Sequence, residues 1–510
     1  MNSYILAHDL GTSGNKATIY DTEGQLKGSC VYEYPTYYPF DGAVEQNPDD
    51  WWIAVCESTK QLLSESGISP TDIECVSFSG IMMGCLLVGK DGKPLRNMLI
   101  WADTRSSKQE KFMLDRVSMN RGYEITGHRL SASYTASKLL WIKDNEPELY
   151  KAGYKVLHAK DYIVYRFTGK FVTDFSDASG TNLLDLRKKE WSKELYESWD
   201  ISPSILPELH ASTDVIGKIT DDAAKQTGLL QGTPVILGGG DGSCACVGAG
   251  VVSVGKAYNI IGTSSWISMA SKEPYFDKEM RTFNWAHLDS SLYTPCGTMQ
   301  AAGYSYSWYR DNLCEPEIQA AKHAGTSAYK LLDRHLNISP PGANGLLYLP
   351  YILGERSPHW NHNARGAFIG IGISSAKSDF TRAVLEGVGF NLRIIMDILE
   401  NYTNIDEITM IGGGAKGIGW LQLLSDIWQK KLSVPMYIEE ATSLGAAVCG
   451  GVGAGIFKDF SVIQKFNPIQ NQIIPNQNNA DLYNHLFKSF KHAYQQLIPV
   501  YEDLAQLKKH

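Results

Sequence analysis

Several features that define common protein classes are missing from this sequence. No uncharged apolar stretch approaches the roughly 20 residues that a membrane-spanning helix needs, so no membrane partner is expected. The formal net charge is −8, with 47 Lys and Arg against 55 Asp and Glu, which argues against nucleic acid as the main partner. There is no Gly-x-x-x-x-Gly-Lys-Ser/Thr loop and no protein-kinase catalytic-loop signature. The sequence therefore indicates none of these four classes.

Cysteine is sparse and odd in number, at nine in 510 residues. The first predicted strand begins about four residues from the N-terminus, which leaves no room for a secretion signal ahead of it. Cys244 and Cys246 have no matching pair of Cys or His nearby, so a zinc site is not predicted. Reduced thiols in the cytoplasm are the expectation that follows.

A chain of 510 residues is too long for one hydrophobic core and predicts two large domains. The pattern of strand, tight turn and strand at 4–20 returns at 256–270. This repeat of plan indicates two domains of one fold that face each other. The small-residue segment 242–250 is compatible with a helix and is predicted to cross between them.

Other elements can be read from local patterns. A hairpin turn is predicted at 21–24 between strands 16–21 and 26–33, a helix at 47–66 and a strand at 73–78. A strand at 407–411 is predicted to run into a helix from 412 to about 430. The segment 470–479 is rich in Asn and Gln and predicts a surface loop, and a helix follows it to the end of the pattern near 497.

Two Gly-Thr-Ser turns, each after a hydrophobic strand, form the first candidate site. Backbone N–H groups and hydroxyls of such turns donate to phosphate oxygens, and glycine allows the ligand to approach closely. Lys16 lies on the strand after the first turn and can add positive charge. One such turn is most simply an ordinary hairpin, whereas the pair favours a polyphosphate ligand. The residues concerned are Thr12, Ser13, Gly262 and Thr263.

Two carboxylates accompany these turns. Asp241 follows three glycines at a predicted strand end, where it is expected to face a cleft and can accept the proton of an attacking hydroxyl. Asp9 ends the first strand and is a candidate Mg²⁺ ligand, with Asp241 as its partner at the metal. The alternative is that each aspartate only satisfies amides of its own turn. Turns and carboxylates together predict ATP-dependent phosphorylation of an alcohol.

Three further stretches are weaker candidates. Gly413 and Gly414 lie between a strand and a helix, where bare backbone can press against a purine or simply form a tight turn. Asp103 and Arg105 can hydrogen-bond sugar hydroxyls or pair with each other. Met82 and Met83 follow a Ser-Gly turn and can line a substrate pocket, although methionine more often fills a core.

The chain resembles the FGGY carbohydrate kinases along essentially its whole length, and two spaced patterns carry the resemblance. They are Ser133-x-Thr135-x-x-Lys138-Leu139-x-Trp141-Ile142-x-Asp144-Asn145, and Gly366-x-Phe368-x-Gly370-Ile371 followed by Asp379-Phe380 and Ala383-Val384-Leu385-Glu386. Each fits one of the two family signatures at every constrained position. Shorter stretches at 44–48, 160–162, 176–181 and 354–358 are also similar to the family.

The resemblance implies an α/β fold of two actin-like (ribonuclease H-like) domains that flank a deep cleft for ATP and sugar. We place their boundary between residues 248 and 249, with the sugar on the N-terminal side. The implied cofactors are ATP and Mg²⁺, and a homodimer is one expected assembly. The implied roles by matching position are these: Asp241 as catalytic base, Asp9 at the metal, Thr12, Ser13, Gly262 and Thr263 around the phosphates, Gly303 and Ser307 at the nucleotide, and Gly413, Gly414 and Ala415 at adenosine.

Within the family the chain looks most like the xylulokinases, especially at 138–145 and 160–186. It departs from them at Met83, where the xylulokinases carry His after Met82, so one partner for a sugar hydroxyl is missing. The stretch 101–105 looks more like gluconate kinases, but those too usually carry Met-His, so the chain fits neither subgroup cleanly. The prediction is a kinase for a terminal hydroxyl of a ketopentose such as D-xylulose, with a gluconate or polyol kinase as the alternative. An actin-like ATPase that binds a protein is the alternative from another class.

Overall fold

Two seven-stranded sheets, one in each half of the chain, organise the computed structural model, which describes residues 3–507. The strands before residue 250 are β1 (Tyr4–Leu10), β2 (Gly14–Asp21), β3 (Leu26–Glu33), β4 (Glu45–Gln46), β5 (Ile73–Gly80), β6 (Leu86–Val88), β7 (Met98–Leu99), β8 (Lys155–Leu157), β9 (Val172–Asp174), β10 (Leu184–Asp185), β11 (Glu190–Trp191), β12 (Glu208–His210), β13 (Val215–Lys218), β14 (Pro234–Ile236) and β15 (Gly239–Gly240). Those after it are β16 (Ala257–Ile261), β17 (Ser265–Met269), β18 (Phe283–Ala286), β19 (Tyr293–Met299), β20 (Leu347–Leu349), β21 (Ala367–Ile369), β22 (Glu407–Ile411), β23 (Lys431–Pro435) and β24 (Ile469–Ile473).

Helices connect and cover these sheets. They are α1 (Pro48–Ser66), α2 (Ser107–Leu114), α3 (Met119–Thr126), α4 (Thr135–Asn145), α5 (Pro147–Ala152), α6 (Ala159–Thr168), α7 (Phe175–Ser179), α8 (Lys193–Ser198), α9 (Asp221–Thr227), α10 (Asp241–Gly248), α11 (Gly303–Leu313), α12 (Glu315–His323), α13 (Ala328–Leu332), α14 (Lys377–Glu400), α15 (Ile418–Trp428), α16 (Ala441–Gly453), α17 (Ile463–Phe466) and α18 (Ala480–Leu507). Within residues 3–507, none of them combines the length and apolarity needed to cross a membrane.

The two sheets repeat one plan, as the sequence predicted. The first has the order β13-β14-β5-β1-β2-β3, with β15 also paired to β5, and the second has the order β18-β19-β17-β16-β22-β23-β24. In each, an antiparallel hairpin (β1–β2 or β16–β17) adjoins a parallel partner, β5 or β22. The two candidate phosphate turns therefore occupy equivalent positions in the two halves, at the bend of each hairpin.

Local signals explain the elements that frame the first sheet. The Asn47 side chain accepts a hydrogen bond of 3.1 Å from the Asp49 amide and caps α1, and Pro48 occupies the first turn. Gly67 ends the helix with φ of 66°, a left-handed conformation that glycine adopts without strain. The predicted bounds of this helix and of the 21–24 hairpin turn are confirmed.

Helices α10 and α16 cross between the two halves. A Cβ atom at Gly445 would lie 1.9 Å from the Cys244 carbonyl oxygen, so glycine permits the close crossing. Although α16 lies between β23 and β24 of the second sheet in the chain, its Leu444 and Val448 share a buried cluster with Ile5 of the first sheet. A clean boundary after residue 248 stays a prediction, because α16 completes the core of the opposite half.

Two local predictions need correction. The segment predicted as a loop at 470–479 contains β24, which pairs antiparallel with β23. Its side chains are exposed from 469 to 472, and backbone pairing at a sheet edge does not require an apolar sequence. The helix predicted from 412 is divided into a short 3₁₀ turn, Gly413–Lys416, and α15. The final helix is confirmed as α18, with Pro499 inside it.

Candidate active site

Three parallel strand ends bring the principal candidates together. In the register of the sheet, Asp9 of β1 and Gly239 of β15 both lie opposite Ser79 of β5. The carboxyl ends of neighbouring parallel strands meet at one edge of a sheet, where α/β proteins commonly bind ligands. Asp9, the loop containing Met82 and Met83, and Asp241 therefore leave the sheet side by side.

Asp241 is the first residue of α10 and is partly buried, and its Oδ1 accepts a 2.7 Å hydrogen bond from the Gly242 amide. Desolvation raises the pKa of Asp241 to about 7, and the negative charge of Asp9 adds to the rise. Burial also raises the pKa of Asp9, against the opposing effects of Ser79 and Lys16. A carboxylate that exchanges its proton near neutral pH suits general base catalysis.

The same pair fits a divalent cation. Asp9 Oδ1 is buried and has no hydrogen-bond partner among the described residues. The Asp9 charge raises the pKa of Asp241, and two carboxylates this close form a hard, anionic oxygen set of the kind that Mg²⁺ prefers. Both aspartates are therefore suited to the metal role predicted from the sequence, which stays a prediction.

The two Gly-Thr-Ser turns have similar closures. The Gly11 amide donates to the Gly14 carbonyl at 2.9 Å, and the Gly262 amide donates to the Ser264 carbonyl at 2.9 Å. The residues at the tips, Thr12, Ser13, Gly262 and Thr263, are exposed. Exposed backbone at a hairpin tip is available to donate to phosphate oxygens.

Gly303 lies directly against the second turn. Its amide donates to the Gly262 carbonyl at 3.0 Å, and the Tyr304 amide donates to the Thr263 carbonyl at 3.0 Å. A Cβ atom at Gly303 would lie 2.3 Å from the Gly262 oxygen, so only glycine allows α11 to begin here. Ser307 lies one turn later and donates to the Tyr304 carbonyl at 3.1 Å. Gly262, Thr263 and Gly303 thus form one unit, with Ser307 beside it.

The candidate adenosine loop is adjacent to this unit. A Cβ atom at Gly414 would lie 2.5 Å from Ile261 Cγ2, at the end of the strand that leads into the second turn. Gly413 has open space where a Cβ would be, and Ala415 is buried. Backbone at Gly413 is therefore the part of the loop best placed to meet a ligand.

Lys16 and Thr12 make contacts that the sequence did not indicate. The Lys16 ammonium donates to the Glu439 carbonyl at 2.9 Å, a residue of the second half of the chain. The Thr12 hydroxyl accepts from the indole N–H of Trp101 at 3.2 Å. Trp101 is 38% exposed, which is unusual for a tryptophan. The sequence pattern at 101–105 pointed to Asp103 and Arg105 and did not indicate this contact between Trp101 and the first turn. Phosphate contacts by Lys16 and Thr12 stay predictions.

Met82 and Met83 have different surroundings. Met82 is buried, and its side chain packs so closely on Gly240 that a Cβ there would lie 2.6 Å from the Met82 sulfur. Met83 is only partly buried and has φ of 63°, a conformation that costs about 1 kcal/mol or more for a side-chain residue. Its carbonyl accepts a 2.9 Å hydrogen bond from the buried Lys138 ammonium. The loop is therefore held beside Asp241 in a strained shape.

Asp103 and Arg105 pair with each other, which was one of the two predicted alternatives. Asp103 is fully buried, and its Oδ2 contacts the Arg105 guanidinium at 2.8 Å and accepts from the Val44 amide at 2.7 Å. Arg105 also pairs with Glu45 at 2.8 Å. These contacts occupy both groups, and a contact with sugar hydroxyls stays a prediction.

The fold and the site define a class of protein before any relative is considered. The two halves of the chain share one sheet plan, and each contributes a turn suited to binding a polyphosphate. Asp241 lies at the same edge and is suited to accept a proton from an alcohol. These features belong to a phosphotransferase with a nucleotide and an alcohol as its two substrates.

Comparisons with known proteins agree with this class. Residues 4–248 match the N-terminal domain, and residues 257–454 the C-terminal domain, of the FGGY family of carbohydrate kinases. The chain belongs to this family and is an ATP-dependent sugar kinase with the two-domain, actin-like fold. The family favours this function over an actin-like ATPase that binds a protein.

Individual relatives cover the whole chain. A xylulose kinase of Bacillus subtilis strain 168 is 35% identical over 495 residues, which cover 96% of each protein. The ligand-bound xylulose kinase from Lactobacillus acidophilus has a TM-score of 0.91 and 28% identity, covering 98% of this chain and 100% of that one. The gluconate kinase from the same organism has a TM-score of 0.92 and 28% identity, covering 99% and 100%.

Proposed function

We propose that this protein phosphorylates a terminal hydroxyl of a ketopentose, D-xylulose in the first instance, with ATP and Mg²⁺. The observation that carries the proposal is the position of Asp241, a partly buried carboxylate near Asp9, at the ends of two strands that each pair in parallel with β5. The similarity to xylulose kinases over 96% of the chain supports the choice of sugar.

In the proposed reaction the sugar hydroxyl lies between Asp241 and the γ-phosphate. Asp241 accepts the hydroxyl proton while the oxygen forms a bond to the γ-phosphorus, and the bond from that phosphorus to the β–γ bridging oxygen breaks to release ADP. The backbone N–H groups of Thr12, Ser13 and Thr263 donate hydrogen bonds to phosphate oxygens, and Gly262 lets the phosphates approach the second turn closely. Asp9 and Asp241 would hold Mg²⁺, which supplies positive charge that offsets the charge of the phosphates.

Gluconate is the second candidate substrate. The stretch 101–105 looks more like gluconate kinases, and Met83 stands where both groups usually carry His, so that position does not separate the two sugars. The gluconate kinase fold matches this chain as closely as the xylulose kinase fold does, at TM-scores of 0.92 and 0.91. A polyol remains a third possibility for the same pocket.

The test is ATP turnover in a coupled assay against xylulose, ribulose, gluconate, erythritol and glycerol, with and without Mg²⁺. Stimulation by xylulose alone supports the first proposal, and stimulation by gluconate alone replaces it with the second. A response to none of these compounds would contradict both.

We further propose a cytoplasmic homodimer. All nine cysteines are buried and free of disulfides, which suits a reducing compartment. Light scattering of the purified protein tests the assembly, and a monomer at micromolar concentration would refute it.

A further inference from the structure

A buried cluster of charged residues lies against β15, the strand that leads into Asp241. The Lys160 ammonium contacts the carboxylates of Asp161 at 2.6 Å, Asp174 at 3.1 Å and Asp177 at 3.2 Å, and all four side chains are fully buried. Burial of charged groups costs free energy unless they are paired, so a cluster of four buried charged residues is expected to have a structural or functional role. His158, Asp161 and Asp177 have the spacing of a metal site, but the ammonium already binds these carboxylates and no metal is proposed.

Asp174 connects the cluster to Ser176. Asp174 Oδ2 accepts hydrogen bonds from the Ser176 amide at 2.9 Å, from the Ser176 hydroxyl at 2.5 Å and from the Ser212 hydroxyl at 2.7 Å. The other carboxylate oxygen of Asp174, Oδ1, contacts the Lys160 ammonium at 3.1 Å. The Ser176 proton is thereby committed to Asp174, and the lone pairs of its oxygen are left to accept.

The donor that meets this oxygen is the amide of Gly240. The distance from the Gly240 nitrogen to Ser176 Oγ is 2.9 Å. Gly240 is the last residue of β15 and directly precedes Asp241, so this bond holds the residue next to the base in place. Gly239 permits the approach, since a Cβ there would lie 2.7 Å from Ser176 Oγ.

We propose that Ser176, held by Asp174 and Lys160, is a positioning residue for the catalytic base Asp241. The proposal rests on the assignment of Asp241 as base in the proposed function. In physical terms, the hydrogen bond to the Ser176 hydroxyl fixes the position of the Gly240 backbone. That position in turn sets the direction in which the Asp241 carboxylate points. Small displacements of a reacting group can lower turnover about 100-fold, so the loss of a single hydrogen bond next to the base is expected to lower kcat.

The same cluster also reaches the opposite wall of the sugar site. His158 lies 3.4 Å from Asp161, and its Nε2 lies 3.2 Å from the Thr135 hydroxyl. That hydroxyl donates to the Gly84 carbonyl at 2.8 Å, directly after Met82 and Met83. One buried network therefore supports the strand of the base and the loop beside it.

Ser176→Ala tests the proposal, with Ser212→Ala as a matched control. Both serines are buried and both donate to Asp174 Oδ2, but only Ser176 accepts from the Gly240 amide. We expect Ser176→Ala to lower kcat about tenfold or more while KM for ATP stays within about twofold. Ser212→Ala should leave kcat within about twofold of the wild type, although both variants lower Tm. Equal losses of kcat in the two variants would overturn the proposal.

A second measurement is independent of activity. Hydrogen exchange of the Gly240 amide should accelerate in Ser176→Ala and stay at the wild-type rate in Ser212→Ala, relative to the global stability of each protein. Unchanged exchange in Ser176→Ala would refute the anchoring role whatever the kinetics show. If the wild type phosphorylates none of the sugars, the proposed function fails, and the exchange comparison alone then decides whether Ser176 anchors Gly240. If Asp241→Asn keeps full kcat, Asp241 is not the base and the positioning proposal fails with it.

Discussion

Replacement of Asp241 by Asn is expected to lower activity and raise stability at the same time. A general base contributes about 10²- to 10⁴-fold to turnover, which corresponds to about 3–5 kcal/mol of barrier at about 1.4 kcal/mol per tenfold. Asn occupies a similar volume and cannot accept the proton. We therefore expect kcat to fall by that factor while the affinity for Mg²⁺-free ATP stays nearly constant, because the backbone of both Gly-Thr-Ser turns is unchanged.

The stability change follows from linkage. The pKa of Asp241 rises from 3.8 to about 7 on folding, so the folded protein retains a proton that the unfolded chain has lost between these values. A raised pKa contributes stability below pH 4 that is lost as pH rises to about 7. At about 1.4 kcal/mol per pH unit the full shift of about three units corresponds to about 4 kcal/mol, and partial exposure of the side chain reduces this to about 2 kcal/mol. The Asp241→Asn variant does not titrate at this position, so its free energy of unfolding does not fall in this way as the pH rises.

The difference in Tm between the variant and the wild type should therefore be small at pH 4.5 and should grow until about pH 7.5, then level off. Scanning calorimetry of the ligand-free proteins across this range measures it, and Asp9→Asn serves as a control that removes the neighbouring charge. A Tm difference that does not change with pH would refute the electrostatic reasoning. Unchanged kcat in the variant would refute the base assignment independently.

Three other predictions can be checked in the same assays. The pH profile of kcat/KM in the free enzyme should rise with pH through about 7, because Asp241 must lose its proton to act as base; a flat profile from pH 5.5 to 8 would contradict this. Gly303→Ala should raise KM for ATP about tenfold, since its Cβ would lie 2.3 Å from the Gly262 oxygen and displace the second turn, whereas Gly372→Ala meets open space and should behave as wild type. Met83→His should raise kcat/KM for the sugar that the wild type phosphorylates by about tenfold, because His restores a hydrogen-bond partner for a hydroxyl, and an unchanged kcat/KM would show that this position does not contact the sugar.

Local patterns predicted much of this architecture. The two hairpins with their Gly-Thr-Ser turns and the capped helix α1 depend on short-range chemistry, and all of them are found. β24 could not be predicted from its polar residues, because it forms by pairing with β23 residues that lie about 40 positions earlier in the chain, for example Leu432 with Ile473.

The candidate site shows the same division. Asp9 and Asp241 could be predicted from local sequence. Asp9 lies at the end of a hydrophobic strand just before a glycine turn, and Asp241 follows a hydrophobic strand and three glycines. Ser176 and Lys160 were part of stretches that resemble the family, yet their role depends on contacts with Gly240 and Asp174 that no local pattern encodes. Trp101 was passed over because its exposure is a property of the folded surface alone.

The placement of the base at a strand end explains how the fold tolerates it. A carboxylate with a raised pKa opposes folding at neutral pH, and Asp9 beside it increases that opposition. The peptide before Asp241 is nevertheless fixed by β15 pairing on one side and the Ser176 hydroxyl on the other, and the carboxylate retains one hydrogen bond from the Gly242 amide. Since these bonds involve backbone, they hold the base in place without neutralising it. A salt bridge in the same position would stabilise the fold but would lower the pKa of Asp241 and weaken it as a base.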